Sequence, residues 1–258
     1  MKRPPEAARV ARARILAGAA LAVIAVAAGG LWYAHDDALS ARLLMAVPDG
    51  IQNDPPLHAY AIRRGRAAFA AHCASCHGAD LAGDPTRGIP DLADRDWLYG
   101  SGRVGEIERT ILYGIRSGHP KAWNLAIMPA FATANPNKFY KMEPLTPREV
   151  ADVALYVYGF SHPGQDAQAL ARGWAVFHKN GFCFDCHGGD GRGDPAIGAP
   201  DLTDGIWLTG NGSLASITDS IAHGLQGICP EWIGRLPAAT IRSIAVYLNA
   251  VSAGPSHE

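Results

Sequence analysis

The sequence predicts a mainly α-helical chain: a single N-terminal membrane-spanning helix followed by two tandem copies of one loop-rich helical domain. Three observations predict it. A long uncharged run lies near the N-terminus, two stretches repeat one another at a constant offset, and helical apolar stripes recur without any competing alternating polar–apolar run. Of the 258 residues, 48% are hydrophobic and 18% charged, which excludes a disordered chain. Only one apolar run is long enough to cross a bilayer, so a polytopic membrane protein is excluded as well.

From Ile15 to Ala34 the chain reads ILAGAALAVIAVAAGGLWYA, without a charge. As a helix, at about 1.5 Å per residue, it spans roughly 30 Å, the hydrocarbon thickness of a bilayer. Lys2, Arg3, Arg9, Arg12 and Arg14 against Glu6 give residues 1–14 a charge of +4. The formal net charge is -1, so the remainder carries -5. The basic segment is expected to stay in the cytoplasm, leaving everything beyond the helix outside, on the periplasmic side of the inner membrane. A cleaved signal peptide is the rival reading, because small residues such as Ala25, Ala27 and Ala28 follow a basic start; both readings export the body. An acidic exported body does not read as a nucleic-acid binder.

Residues 72–100 (HCASCHGADLAGDPTRGIPDLADRDWLYG) and 182–210 (FCFDCHGGDGRGDPAIGAPDLTDGIWLTG) align at an offset of 110. Met128-Pro129-Ala130-Phe131 then matches Cys229-Pro230-Glu231-Trp232, and LTPREVADVALYVYGFS from Leu145 matches LPAATIRSIAVYLNAVS from Leu236. The chain divides into a basic segment (1–14), the anchor or signal peptide (15–34), a linker (35–60) and two domains, 61–162 and 163–258. Each copy should open and close with a helix. Before the closing helix of the first copy, Thr146 suits the N-cap, Pro147 the first turn and Glu149 a capping box. Val150, Val153, Ala154 and Val157 form one buried stripe, repeated as Ile241, Ile244, Ala245 and Leu248. Gly, Pro and Asp crowd the middle of each copy, which reads as loops. Such domains are short of core, and a large buried cofactor would supply the missing apolar volume.

Cys73-Ala74-Ser75-Cys76-His77 and Cys183-Phe184-Asp185-Cys186-His187 both fit C-x-x-C-H, the c-type haem attachment pattern. Two thiols about one turn apart can each bond a vinyl-derived carbon, and the adjacent histidine meets the iron. A redox Cys pair needs no trailing histidine, and zinc ligand pairs normally lie much closer together than these. Two cytochrome c domains with two covalently bound haem c are therefore expected, held by Cys73, Cys76, Cys183 and Cys186, with His77 and His187 on the two irons.

The sixth ligand of such a haem is often methionine. The chain has Met1, Met45, Met128 and Met142. Met128 precedes a proline at a position the repeat marks as equivalent, and is assigned to haem 1; Met142 is the alternative, without that context. No methionine follows Met142, and the matching position of the second copy is Cys229. Cys229 is assigned to haem 2, where a thiolate would lower the potential relative to a thioether. The competing reading is a buried thiol beside an open or His-filled site, with His178 and His223 as the histidines. No catalytic residue is assigned.

These residues resemble the dihaem subunit III of cbb(3)-type cytochrome c oxidases. The resemblance runs through IPDLADRDWLYG, MPAF, ADVALYVYGF, GAPDLTDGIWLTG and GLQGICPEWIGRLPAATIRSIAVYLNAV. It implies a membrane-anchored subunit, not itself an enzyme, that takes electrons from a donor c-type cytochrome and passes them to the oxidase's catalytic and monohaem subunits. It also implies His/Met ligation, His77 with Met128, and a bond from each proximal histidine to a proline carbonyl, at Pro90 and Pro200. The family's second Met-Pro is Cys229-Pro230 here. Thiosulfate dehydrogenases are a second resemblance, with one His/Cys haem of two, although there the Cys-bearing domain is not the second. A third reading is an anchored carrier serving another dehydrogenase.

Overall fold

The computed structural model describes residues 6–133 and 142–252. Lys2 and Arg3 of the basic segment, and residues 253–258 of the second copy, lie outside them. The first helix, α1 (Glu6–Met45), contains a stretch, Leu16–Met45, long and apolar enough to cross a membrane. Its Leu21, Val26, Leu31 and Trp32 side chains are exposed. The helix continues through residues 35–45, expected as linker, because nothing in that stretch breaks it before Pro48.

The described residues from Val47 to Ser252 form a separate compact body. Among the described residues it is built of helices, turns and isolated bridges, in line with a mainly α chain. The first copy contributes α2 (Pro55–His72), a one-turn α3 (Ala74–His77) and α4 (Val104–Tyr113), and closes with α5 (Pro147–Tyr158). The second contributes α6 (Ala167–Ala175), one-turn α7 (Phe184–His187), α8 (Leu214–His223) and closing α9 (Ala238–Ser252). Helix α2 starts at Pro55, ahead of the expected boundary at 61, because Asp54 caps it: its carboxylate accepts the Leu57 N–H at 3.2 Å.

The expected capping box is present on α5. The Glu149 N–H donates to Thr146 Oγ1 at 3.3 Å and the Thr146 N–H to Glu149 Oε2 at 2.9 Å. Both apolar stripes, Val150 to Val157 and Ile241 to Leu248, are buried.

What the stripes bury against is the main feature of the fold. The opening helix of the first copy, α2, packs on α9, the closing helix of the second, and α4 packs on α9 too. The closing helix of the first copy, α5, packs on α6 and α8 of the second. The copies have exchanged their C-terminal helices. One spatial module is α2, α3, α4 and α9; the other is α5, α6, α7 and α8. The sequence boundaries of the two domains are therefore not boundaries in space.

The two modules use the same contacts. At Gly65 on α2 an added Cβ would fall on the Ser243 carbonyl of α9 and press on Tyr247; at Gly173 on α6 it would fall on the Asp152 carbonyl of α5 and press on Tyr156. Phe69 meets Tyr247 with ring centroids 5.9 Å apart, and Phe177 meets Tyr156 at 5.4 Å. Each crossing also carries polar bonds. Arg172 of α6 grips Asp152 of α5 through two bonds of 2.8 and 2.9 Å, and holds its carboxyl below the usual carboxylate range. Arg242 of α9 meets Glu108 of α4 at 3.0 Å, both side chains largely buried. Arg64 donates to Thr240 of α9 at 3.2 Å.

The copies differ before the second Cys pair. Phe69 lies 4 residues before Cys73 and Phe177 lies 6 before Cys183. Part of the longer spacing is taken up by a π-helical turn, Val176–Asn180, closed by the Gly181 N–H on the Val176 carbonyl at 2.8 Å. A widened turn of this kind absorbs an insertion without moving the helix that precedes it.

Two results are expected. Gly65→Ala lowers unfolding free energy by about 1–3 kcal/mol in denaturant titration of the haem-loaded protein, because overpacking a close helix crossing outweighs alanine's better helix propensity. In an Arg242→Lys variant, carbodiimide joins the new amine to Glu108, and peptide mapping of the monomer recovers an α4–α9 linkage, which an unexchanged arrangement does not give.

Candidate functional site

Each C-x-x-C-H sits on a one-turn helix that follows the opening helix. His77 N–H donates to the Cys73 carbonyl at 3.0 Å and His187 N–H to that of Cys183 at 2.9 Å, so both Cys and the His of each motif share one turn. Gly78 (φ +77°) and Gly188 (φ +72°) end these turns in a conformation that only glycine adopts without strain.

The loop that follows builds the histidine's partner. The Gly83 N–H donates to the His77 carbonyl at 3.0 Å and the Gly193 N–H to that of His187 at 2.8 Å. An added Cβ at Gly83 would strike the Ile89 and Pro90 carbonyls, and one at Gly193 those of Ala199 and Pro200. With that clearance the Pro90 carbonyl lies 3.5 Å from His77 Nδ1 and the Pro200 carbonyl 3.1 Å from His187 Nδ1. A carbonyl only accepts, so Nδ1 carries the proton and Nε2 keeps its lone pair. Burial lowers the pKa of both histidines, against a smaller rise from the proline contact, and so favours the neutral ring that binds a metal.

The loops of the two copies interlock about a pseudo-two-fold axis. The Gly100 N–H donates to the Pro195 carbonyl at 3.2 Å, and the equivalent Gly210 N–H to the Pro85 carbonyl at 3.0 Å. Carboxylates gather near this seam: burial, then Asp204, Asp94 and Asp201, raise the pKa of Asp96.

The distal segments cross. Cys229 and Ile115 exchange two backbone bonds, Cys229 N–H to Ile115 O at 3.0 Å and Ile115 N–H to Cys229 O at 2.9 Å; the symmetry-equivalent bridge joins Met128 to Leu225 at 3.1 Å. Beyond them, the Trp232 N–H donates to the Ile111 carbonyl of α4, and the Phe131 N–H to the Ile221 carbonyl of α8, each at 3.1 Å. Cys229 consequently lies beside the first Cys pair. Burial, with the facing Cys229 and Cys76 thiols, pushes Cys73 up to about 11, and burial with Cys76 does the same to Cys229. The Trp232 ring lies 5.6 Å from that of His72. Met128 packs instead against the core of the second module, which includes Phe177, Ile217 and Ile221 and borders Cys183, Phe184, Leu202 and Trp207.

The structure thus brings Cys73, Cys76 and His77 together with Cys229, and Cys183, Cys186 and His187 together with Met128. It does not bring Met128 to His77 or Cys229 to His187, the pairs expected from chain order. The reason is the exchange: each distal segment leads into its copy's closing helix and travels with it. His178, an alternative sixth ligand, has both ring nitrogens 3.0 Å from carbonyls, of Trp174 and Gly189. His223 is exposed and pairs with Asp219 at 2.9 Å.

One positioning residue escapes sequence reasoning. Arg116 holds a left-handed backbone (φ +50°) and donates to Tyr99 Oη and the Ala126 carbonyl, each at 3.2 Å, and to the Gly227 carbonyl. It ties both distal segments to the first copy's loop. Its signal is a break in the repeat, since the equivalent position is Gln226.

The residues fit a haem at each motif. Both Cys of a pair lie on one turn, Nε2 of the histidine is available, and a sulfur-bearing segment closes the other side.

Residues 62–160 match the cytochrome c family, and residues 168–248 match the family described as cytochrome C oxidase, cbb3-type, subunit III. Among curated proteins, the chain is 37% identical to the cbb3-type cytochrome c oxidase subunit FixP of Bradyrhizobium sp. (strain ORS 278), over 90% of this chain and 74% of that protein. It is 36% identical to FixP of Bradyrhizobium diazoefficiens over the same shares, and 37% identical to subunit CcoP of Cereibacter sphaeroides over 79% and 66%.

The expected outcome at the proximal side concerns Gly193. Gly193→Ala displaces the Pro200 carbonyl, removes the bond that makes His187 more basic, and raises the midpoint of one haem in a redox titration while the other holds its value.

Proposed function

The chain belongs to the family of subunit III of cbb3-type cytochrome c oxidases, and on that premise we propose that it is the electron-entry subunit of such an oxidase. In this reading α1 anchors it in the inner membrane. The haem body stands in the periplasm, receives electrons from a donor c-type cytochrome and delivers them to the catalytic and monohaem subunits. It makes and breaks no substrate bond.

The observation that carries the reading is the pair of C-x-x-C-H turns held in one body by the reciprocal Gly100–Pro195 and Gly210–Pro85 bonds. When bound, each haem supplies an iron that takes up and releases one electron. The chain does the rest. Cys73, Cys76, Cys183 and Cys186 hold the groups covalently, and the Pro90 and Pro200 carbonyls keep the His77 and His187 rings in one tautomer. The apolar wall of Phe177, Ile217 and Ile221 keeps water from the second site. The interlocked loops fix one site against the other, so the separation across which an electron hops does not fluctuate with a flexible linker. The acidic exported part favours a basic donor, through steering that weakens with salt.

Thiosulfate dehydrogenases differ in the place of their Cys; with Cys229 beside the first Cys pair that distinction does not separate the two, and the family match supports the oxidase reading.

Solubilised membranes carrying a tagged copy of the protein are expected to yield a complex that oxidises reduced cytochrome c with oxygen, and to lose that activity when the tagged chain is dissociated. Recovery without any oxidase subunit, or reduction of the isolated protein by thiosulfate, overturns the proposal.

A further inference from the structure

We infer that Arg116 acts on both haems at once: its guanidinium is a permanent positive charge fixed at the seam between the two sites, and it raises the two midpoint potentials together. The inference rests on the dihaem reading above and deepens it, by naming a positioning residue that serves both centres.

The backbone fixes where the side chain starts. Ile115, just before it, is bridged to Cys229, and an added Cβ at Gly114 would fall on the Cys229 carbonyl. The Arg116 N–H donates to the Trp123 carbonyl at 3.0 Å, which closes a short loop and holds Arg116 at φ +50°. A residue with a Cβ is strained there and persists only where its surroundings over-determine it, a situation common at functional sites. From this position the guanidinium reaches both distal segments. It donates to the Ala126 carbonyl, two residues before Met128, and to the Gly227 carbonyl, two residues before Cys229. Its third partner is Tyr99 Oη, at 3.2 Å. The Tyr99 ring stacks on Trp123 with centroids 5.1 Å apart and fills the space that a Cβ at Gly198 would need. Gly198 stands in the loop that presents the Pro200 carbonyl to His187.

The chemistry follows from what these partners lack. Two carbonyls and a phenol accept hydrogen bonds without cancelling charge, and among the described residues no carboxylate bonds to Arg116. A guanidinium keeps its proton at every pH at which a protein is folded. Ferric haem carries one more positive charge than ferrous haem. A fixed cation nearby therefore disfavours the ferric form and raises the midpoint, more strongly where water is excluded. The repeat offers a second place for such a group, but there it has Gln226, which is exposed. One cation, bonded within two residues of both Met128 and Cys229, serves the two sites.

The test separates charge from packing in the full haem-loaded chain. Arg116→Gln installs the residue of the other copy, which removes the charge and keeps an amide donor. Arg116→Lys keeps the charge without the planar fork, and Tyr99→Phe removes one partner while leaving the charge in place. Each protein is followed by optical redox titration, in which the two haems give two one-electron waves. Both waves are expected to move to lower potential in Arg116→Gln and to hold in Arg116→Lys and Tyr99→Phe, with the low-spin bands unchanged throughout. A shift of one wave alone, no shift in Arg116→Gln, or an equal fall in Arg116→Lys or Tyr99→Phe overturns the inference. Should Arg116→Gln fail to mature, acylation of the folded Arg116→Lys protein, set against the same treatment of the unaltered chain, removes the charge after folding, and both waves are again expected to fall. Pyridine haemochrome stoichiometry separates the two levels: fewer than two haems per chain defeats the dihaem function itself, whereas two haems with unmoved waves defeats only the role of Arg116.

Discussion

A haem is a flat apolar body, and a protein that holds one must close on both of its faces. Here the proximal face is local: two cysteines and a histidine on one helical turn, with a proline carbonyl 13 residues on from the histidine. The distal face is not local. The segments that carry Met128 and Cys229 have their backbone committed to the other copy, through the Ile115–Cys229 and Met128–Leu225 bridges. The rest of the body follows from that crossing, because a distal segment anchored on the far module carries its closing helix there too. Copies of this size, rich in glycine, proline and aspartate, bury little on their own. Exchange makes them share one interior.

Much of this was legible in the sequence, and the illegible part has one cause. The capping box at Thr146 and Glu149, the stripes from Val150 and Ile241, and the proline carbonyls opposite His77 and His187 are set by neighbours near in sequence, so spacing predicts them. A stripe states that a face is buried without stating against what. Helices α5 and α9 present equivalent surfaces, with Tyr156 and Tyr247 opposite Gly173 and Gly65, so either fits either opening helix. Local pattern therefore cannot choose between exchanged and unexchanged packing, and the choice of which Cys pair Met128 and Cys229 lie beside inherits that degeneracy. The helical stretch 35–45 was missed for a different reason: it lies past the apolar run but contains no breaker.

Where the repeat departs from itself, several of the departures fall around the sites. The glycines under Pro90 and Pro200, the loop bonds across the axis and the helix crossings recur in both modules. Met128 against Cys229, Arg116 against Gln226, and the π-helical turn before Cys183 do not. A symmetric scaffold with unlike side chains at equivalent places keeps its geometry constant while the chemistry offered at those places differs.

The crossing also orders assembly. Helix α9 is the last described element of the chain, and it covers both α2 and α4 of the first module. Contacts separated by this much sequence form late, because loop closure must precede their reward. The first C-x-x-C-H is consequently exposed on one side until the second copy is complete, whereas the second motif meets α5 and Met128 already made.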